Sequence, residues 1–344
     1  MSGENWLVCP TGGDDHNAQT YGGSTLAHST PLQSLGLRSD GSAESGPVNG
    51  IARRETTRVA QSAKNSVGLD AARPRADRLS VTDRQPPAPF VEELKTGLRS
   101  AFGPELVAVY LYGSAVSGGF DDGVSDIDLL VVTAQDLNEK DIARIAALHA
   151  RIVERHPEWD DRLELVYVGR ETLAHFREGG TVGVISPGEP FHIRDGIELW
   201  LENFYLIREA GVTLVGPEPT TAIPNISWPE FVAAIACYAA EVQSRSLRDA
   251  SPGARAYGVL TMCRALCTIC SSRPCSKQEG AAWVRAQMPE WAWLIDAAEK
   301  CRLARGRTGF ADEGTLRAAE ALIAQLGVEI ANRTQAAEQA TGRE

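Results

Sequence analysis

The first 89 residues carry no sustained apolar period, and after Pro89 the pattern sharpens. Phe90, Leu94, Leu98 and Phe102 recur at steps of four, which predicts a helix stopped by Gly103-Pro104. Leu106 to Tyr112 is a short apolar run rich in β-formers and predicts a buried strand. Ile127 to Thr133 and Leu163 to Val168 predict two more, with a helix from Asn138 to His156 between them. Strand, loop, strand, helix, strand is a small mixed α/β unit. From about Glu198 onward helical spacing dominates, with candidates at 197–210, 229–248, 254–272, 277–287, 290–304 and 314–332. Trp228-Pro229-Glu230 reads as a helix start with proline in the first turn. The second half is therefore expected to be an all-α bundle.

The same pattern divides the chain. Residues 1–85 read as a disordered extension: residues 1–89 hold 27 Gly, Ser and Pro, too few apolar positions to offset chain entropy. Pro86-Pro87-Ala88-Pro89 reads as a stiff linker. Residues 90–196 form the expected α/β (α+β) domain with a small mixed sheet, 197–332 the helical domain, and 333–344 a flexible tail.

Composition narrows the chemistry. The chain has 344 residues and a formal charge of −11. Residues 1–89 hold nine basic and nine acidic side chains, so the whole excess lies in the other 255. That argues against general nucleic-acid binding, which needs a basic field. It suits a cationic ligand, and solvated acidic helices explain it equally well. No apolar run approaches the ~20 residues of a membrane span, and the chain opens on no secretory pattern. Seven cysteines, an odd number, then read as reduced thiols in a cytoplasm.

The candidate chemistry lies between the first two strands. The first strand delivers Gly113-Ser114 at its end, where glycine lets a phosphate approach the backbone and serine adds a hydroxyl and an N–H. Asp126 and Asp128 flank Ile127 at the start of the second strand. Side chains alternate along a strand, so both carboxylates share one face while Ile127 points into the core. Two carboxylates on one rigid face make a platform for a divalent metal. Glu164, inside Leu163-Glu164-Leu165-Val166, is costly there unless it faces water, a metal or a partner. If its strand lies beside the aspartate strand, it completes a three-carboxylate cluster. Taken singly, Asp-x-Asp reads as a solvated turn and Gly-Ser as any loop; the strand context on both sides is what joins them.

Leu111-Tyr112-Gly113-Ser114-Ala115-Val116, then Gly118-Gly119, then Ser125-Asp126-Ile127-Asp128-Leu129-Leu130-Val131 resemble the nucleotidyltransferase superfamily of DNA polymerase β type. More narrowly, residues 90–332 resemble the aminoglycoside adenylyltransferases that modify streptomycin and spectinomycin. Leu163-Glu164-Leu165 is similar to the strand carrying that family's third acid, and Val215-Gly216-Pro217 to its domain junction. The helices around Arg264 and Lys277 are similar to those that supply a basic pair to the nucleotide phosphates. The resemblance implies an antibiotic-resistance enzyme that moves AMP from ATP to a hydroxyl, with in-line attack at the α-phosphate and release of pyrophosphate. It implies ATP and two Mg²⁺ ions, Asp126, Asp128 and Glu164 as metal ligands, and Glu164 as ligand or general base. Gly113 and Ser114 would hold the β- and γ-phosphates, and Arg264 and Lys277 would offset charge on departing pyrophosphate. By themselves Arg264 and Lys277 read as surface charges on helices.

Two departures weigh on the acceptor. The loop from Ser114 to Asp126 holds eleven residues, one more than is usual in antibiotic-modifying members. Residues 171–196 do not align with the drug-binding segment. A protein or nucleotide acceptor, as in toxin–antitoxin nucleotidyltransferases, and an inactive binding relative are the alternatives; the large helical domain favours an enclosed small-molecule cleft over a flat protein surface. His192 and Arg194 are candidates to line the cleft between the two domains. Cys263, Cys267, Cys270 and Cys275 read as core residues rather than a metal site, since four ligands from one helix rarely form a tetrahedron.

Overall fold

A computed structural model describes residues 85–187, 189–249, 251–306, 310 and 312–341. The extension expected over 1–85 lies, except for Gln85, outside the described residues. Helix α1 (Ala88–Phe102) leads into β1 (Leu106–Tyr112), a helical turn α2 (Ser114–Ser117) and β2 (Ile127–Thr133). Then come α3 (Glu139–Arg155), β3 (Leu163–Gly169), α4 (Arg170–Ala174), β4 (Thr181–Ile185) and β5 (His192–Asp195). After α5 (Leu201–Ala210) and β6 (Val212–Val215) the rest is helical. It comprises α6 (Pro219–Ala222), α7 (Trp228–Arg248), α8 (Pro252–Ser271), α9 (Lys277–Gln287), α10 (Ala292–Leu303) and α11 (Glu313–Thr341).

The six strands form one sheet in the order β5-β4-β3-β2-β1-β6. Only β2 and β3 pair in parallel, through the crossover helix α3, and every other pair is antiparallel. Asn138 starts α3 with a reciprocal cap, its side chain accepting from the Asp141 N–H while Asp141 accepts from the Asn138 N–H.

Alternation along the strands decides what each face meets. Ile127, Leu129 and Val131 of β2 pack with Leu94 and Leu98 of α1 and Ile145, Leu148 and Ile152 of α3. Leu130 and Val132, with Ala108, Tyr110, Val166 and Val168, face the other way. They share one core with Phe204, Phe231, Val259, Leu266, Leu322 and Ile323 of the helical half. The sheet half and the helical half are thus joined by a continuous apolar core. Helix α8 runs through its centre, with buried residues on all sides and Met262 and Cys263 fully enclosed.

Three short strands were not expected from the sequence: β4, β5 and β6 extend the mixed sheet past the three predicted runs. β6 lies at 212–215, beyond the 90–196 stretch read as the α/β domain, so the chain re-enters the sheet after its first long helix. The last helix, expected to stop at 332, continues to Thr341 through the segment read as a flexible tail. Cys263, Cys267, Cys270, Cys275 and Cys301 are free thiols, whereas Cys237 is disulfide-bonded, against the expectation of reduced thiols throughout. No described helix is long and apolar enough to cross a membrane.

Candidate active site

The parallel register of β2 and β3 sets Asp128 opposite Glu164, and the antiparallel register of β1 and β2 sets Tyr112 opposite Asp128. Tyr112, Asp128 and Glu164 therefore form a row across three strands, on the face turned toward the helical half. Asp126 precedes β2 by one residue and shares the parity of Asp128. Asp126, Asp128 and Glu164 are each half-buried, while Ser125, Ile127, Leu163 and Leu165 beside them are buried. The carboxylates keep partial exposure while their strand neighbours are core.

The electrostatics show how closely these groups crowd. Burial pushes the Asp126 carboxyl up to about 6, with Lys277 and Arg162 pulling it back. Asp128 is raised well above the usual carboxylate range by burial and by the charges of Glu164 and Asp126. Burial, then Asp126, pushes Glu164 up to about 7, opposed by Lys277 and Arg264. Three acids that each resist ionising beside the others make a site that favours a cation. Their donors are all hard oxygens, the set that suits Mg²⁺. Among the described residues, however, no three His, Cys, Asp or Glu side chains are gathered as a ready-made metal cage. That is compatible with Mg²⁺, which is commonly held by one or two carboxylates plus substrate phosphates and water.

Gly113 and Ser114 both lie against Asp128. Gly113 has φ of 67°, and a Cβ there would lie 2.0 Å from the Asp128 Oδ2. The backbone N–H of Ser114 donates to the Asp128 carboxylate. Both residues are thus committed to seating Asp128, which leaves the half-exposed Ser114 side chain at the cleft.

The cations come from the helical half. Lys277 opens α9 directly after Ser276, whose side chain caps the helix by accepting from the Glu279 N–H. Arg264 lies midway along α8, and its Nη2 donates to Glu202 Oε1 of α5 at 2.9 Å. The two helices nearly touch here: a Cβ on Gly280 would lie 2.6 Å from the Arg264 backbone N and Cα. That contact places Lys277 and Arg264 on one patch. Lys277 acts on all three carboxylates. Burial, with the charges of Arg264 and Arg302, lowers its own pKa. The Lys277 Nζ stands 4.4 Å over the Tyr257 ring, and the Tyr257 hydroxyl shares a 2.6 Å hydrogen bond with that of Tyr238.

Sequence reasoning passed over several residues here. Arg162 is buried, lies 4.0 Å over the Trp159 ring, and donates through Nε and Nη2 to the Ser125 carbonyl at 2.9 and 2.7 Å. It clamps the backbone just before Asp126. The buried Tyr112 hydroxyl has no hydrogen-bond partner among the described residues, and burial together with Glu164 and Asp128 holds its pKa well above the usual tyrosine value. Its place in the row was readable, since Tyr112 shares a strand end with Gly113. His192, on edge strand β5, bonds the Pro190 carbonyl, and Arg194 stacks over Trp200.

Comparison with known proteins fits this geometry. Residues 91–171 match a family model described as a nucleotidyltransferase domain, and residues 222–326 one described as the aminoglycoside adenylyltransferase C-terminal domain. Every carboxylate of the row falls in the first match, and Arg264 and Lys277 fall in the second. Among solved structures, the fold is similar to a spectinomycin adenyltransferase from Enterococcus faecialis, solved with ATP and spectinomycin. The TM-score is 0.55 at 17% identity, over 70% of this chain and 98% of that one. No match is found among curated proteins. Taken with the strand-end carboxylates and the facing cations, the two matches identify the chain as a nucleotidyltransferase, an adenylyltransferase-type enzyme whose helical half matches the C-terminal domain of aminoglycoside adenylyltransferases.

Proposed function

We propose that this enzyme transfers AMP from ATP to a hydroxyl of a small cationic acceptor, an aminoglycoside of the streptomycin or spectinomycin type. One observation carries the reading: carboxylates fixed by strand register face Lys277 and Arg264, which converge from two helices of the other half. Acids that need a counter-charge and cations that need an anion across a cleft match an Mg²⁺-bound triphosphate.

Each residue then has a task. Glu164, whose carboxyl burial and Asp126 push above the usual carboxylate range, is placed to accept the proton of the attacking hydroxyl. The acceptor oxygen bonds to the α-phosphorus as the bond to the β-phosphate oxygen breaks, and pyrophosphate leaves. Lys277 and Arg264 offset the charge that gathers on it. Ser114 offers its hydroxyl to the phosphates, and Gly113 seats Asp128. Asp126 and Asp128 would hold Mg²⁺; service as a further ligand is the alternative to the role of Glu164 as base. When bound, the ion supplies neutralisation of the phosphates and a lower pKa for a coordinated hydroxyl.

A net charge of −11 and a cleft bearing three acids favour a cationic acceptor. The aminoglycoside adenylyltransferase match over 222–326 favours the drug over a protein acceptor. Purified enzyme with ATP and Mg²⁺ is expected to release pyrophosphate when streptomycin or spectinomycin is added. Release with neither drug, but with a protein or nucleotide acceptor, would replace this reading with the toxin–antitoxin type.

A further inference from the structure

Arg302, at the end of α10, is a third basic side chain reaching the same cleft. Its Nη1 donates to Asp121 Oδ2 at 2.6 Å, and Gln278 Nε2 donates to the same oxygen at 3.0 Å. Its Nη2 reaches the Ser125 Oγ at 3.3 Å, which also accepts the Asp121 N–H at 2.8 Å. Gln278 follows Lys277, and Ser125 precedes Asp126. The guanidinium is thus held within one residue of a site cation on one side and a site carboxylate on the other. Arg302 therefore adds a third positive charge beside Lys277 and Asp126.

This arrangement is expensive for a surface strut. It concentrates positive charge beside Lys277, and the Arg302–Asp121 pair is mostly shielded from solvent. A seam between the halves already has an ion pair in Arg305 and Asp161, three residues further on. Gly119 lies flat against the start of α9, where a Cβ would meet the Gln278 Oε1 at 3.3 Å. The loop of residues 118–125 is therefore pressed onto the helical half at the point where Arg302 enters.

Resting on the nucleotidyl-transfer reading above, we infer that Arg302 is a third phosphate-binding residue. It engages the outer phosphates of the nucleotide and the departing pyrophosphate, and Asp121 with Gln278 positions it. The step is non-covalent, with guanidinium N–H groups donating to phosphate oxygens that bear the leaving charge.

Binding of ATP, AMP and inorganic pyrophosphate to the full-length protein, each with Mg²⁺, tests this. AMP keeps the α-phosphate and lacks the outer two. Arg302→Gln is expected to weaken ATP and pyrophosphate binding about tenfold while leaving AMP binding unchanged. Arg302→Lys should recover most of the loss, and Asp121→Asn should show a smaller loss with the same ATP-against-AMP contrast. Arg305→Gln, which cuts the neighbouring seam pair, should change none of the three. Equal weakening of ATP and AMP, or pyrophosphate binding that Arg302→Gln does not alter, overturns the assignment and leaves Arg302 a strut between the halves. Wild-type protein that binds neither ATP nor pyrophosphate would instead sink the nucleotidyl-transfer reading beneath it.

Discussion

The two walls of the cleft are built by different means. On the sheet side, Asp128 and Glu164 are placed by main-chain hydrogen bonds: the β2–β3 register fixes one opposite the other, and Gly113, Ser114 and Arg162 seat the approach. On the helical side, Arg264, Lys277 and Arg302 stand on three helices and are aimed by side-chain contacts with Glu202, Tyr257 and Asp121. A strand row is rigid and short-range, whereas cations on long stems depend on how closely their helices pack. The acidic wall should therefore fail by chemistry with the fold intact, and the basic wall by packing as well as by charge.

The largest effect expected is on the rigid wall. Asp128→Asn should lower turnover by about 10³-fold or more, because the proposed metal platform loses a charge at an unchanged position. It should leave the melting temperature equal or higher, since it relieves repulsion with Glu164 and Asp126. Near-wild-type turnover would break the comparison. On the packed wall, Gly280→Val should cost about 1–3 kcal/mol in stability, because the added atoms meet the backbone at Arg264. It should also raise the KM for ATP by parting Lys277 from Arg264; denaturant unfolding and kinetics on the same sample check both. Lys277→Gln should raise that KM about tenfold with a smaller fall in kcat, the converse of the Asp128 variant.

The smallest effect is the pH dependence of stability in protein free of divalent ions. Glu164 and Asp126 bind protons more tightly when folded, with pKa near 7 and near 6, than carboxyls do in an unfolded chain. Between about pH 4 and 7 the folded state thus holds protons that the unfolded state has released, so stability falls as pH rises through that window. Melting temperature should decline from pH 5 to 8. Glu164→Gln should flatten the decline, and Mg²⁺ should reverse part of it. An unchanged slope in the variant would show that Glu164 does not carry this linkage.

How much of this was legible follows the same division. The Gly-Ser bend and Asp-x-Asp sit at the ends of apolar strands, where parity predicts one face for both aspartates, and Glu164 lies within a third, joining them once its strand pairs with theirs. Arg264 and Lys277 were found by resemblance, because a lone basic residue on a helix carries no periodic signal. Arg302, Glu202 and Asp121 had none at all, since their meaning arises when distant helices close on the loop. The missed strands failed for local reasons: His192–Asp195 has no buried residue, and Val212–Val215 is four residues long. Helix α11 outran its expected end because Gln, Ala and Glu after residue 332 favour helix without an apolar stripe.

The central claim is that the facing walls direct attack to the α-phosphorus of a bound nucleotide. The most direct test follows two labels in one reaction, ATP carrying distinct isotopes in its α- and γ-phosphates, with Mg²⁺ and streptomycin or spectinomycin. The α-label should appear on the drug and the γ-label in pyrophosphate, and Asp128→Asn should abolish both. The γ-label on the drug would mean phosphoryl rather than nucleotidyl transfer, and would contradict the account.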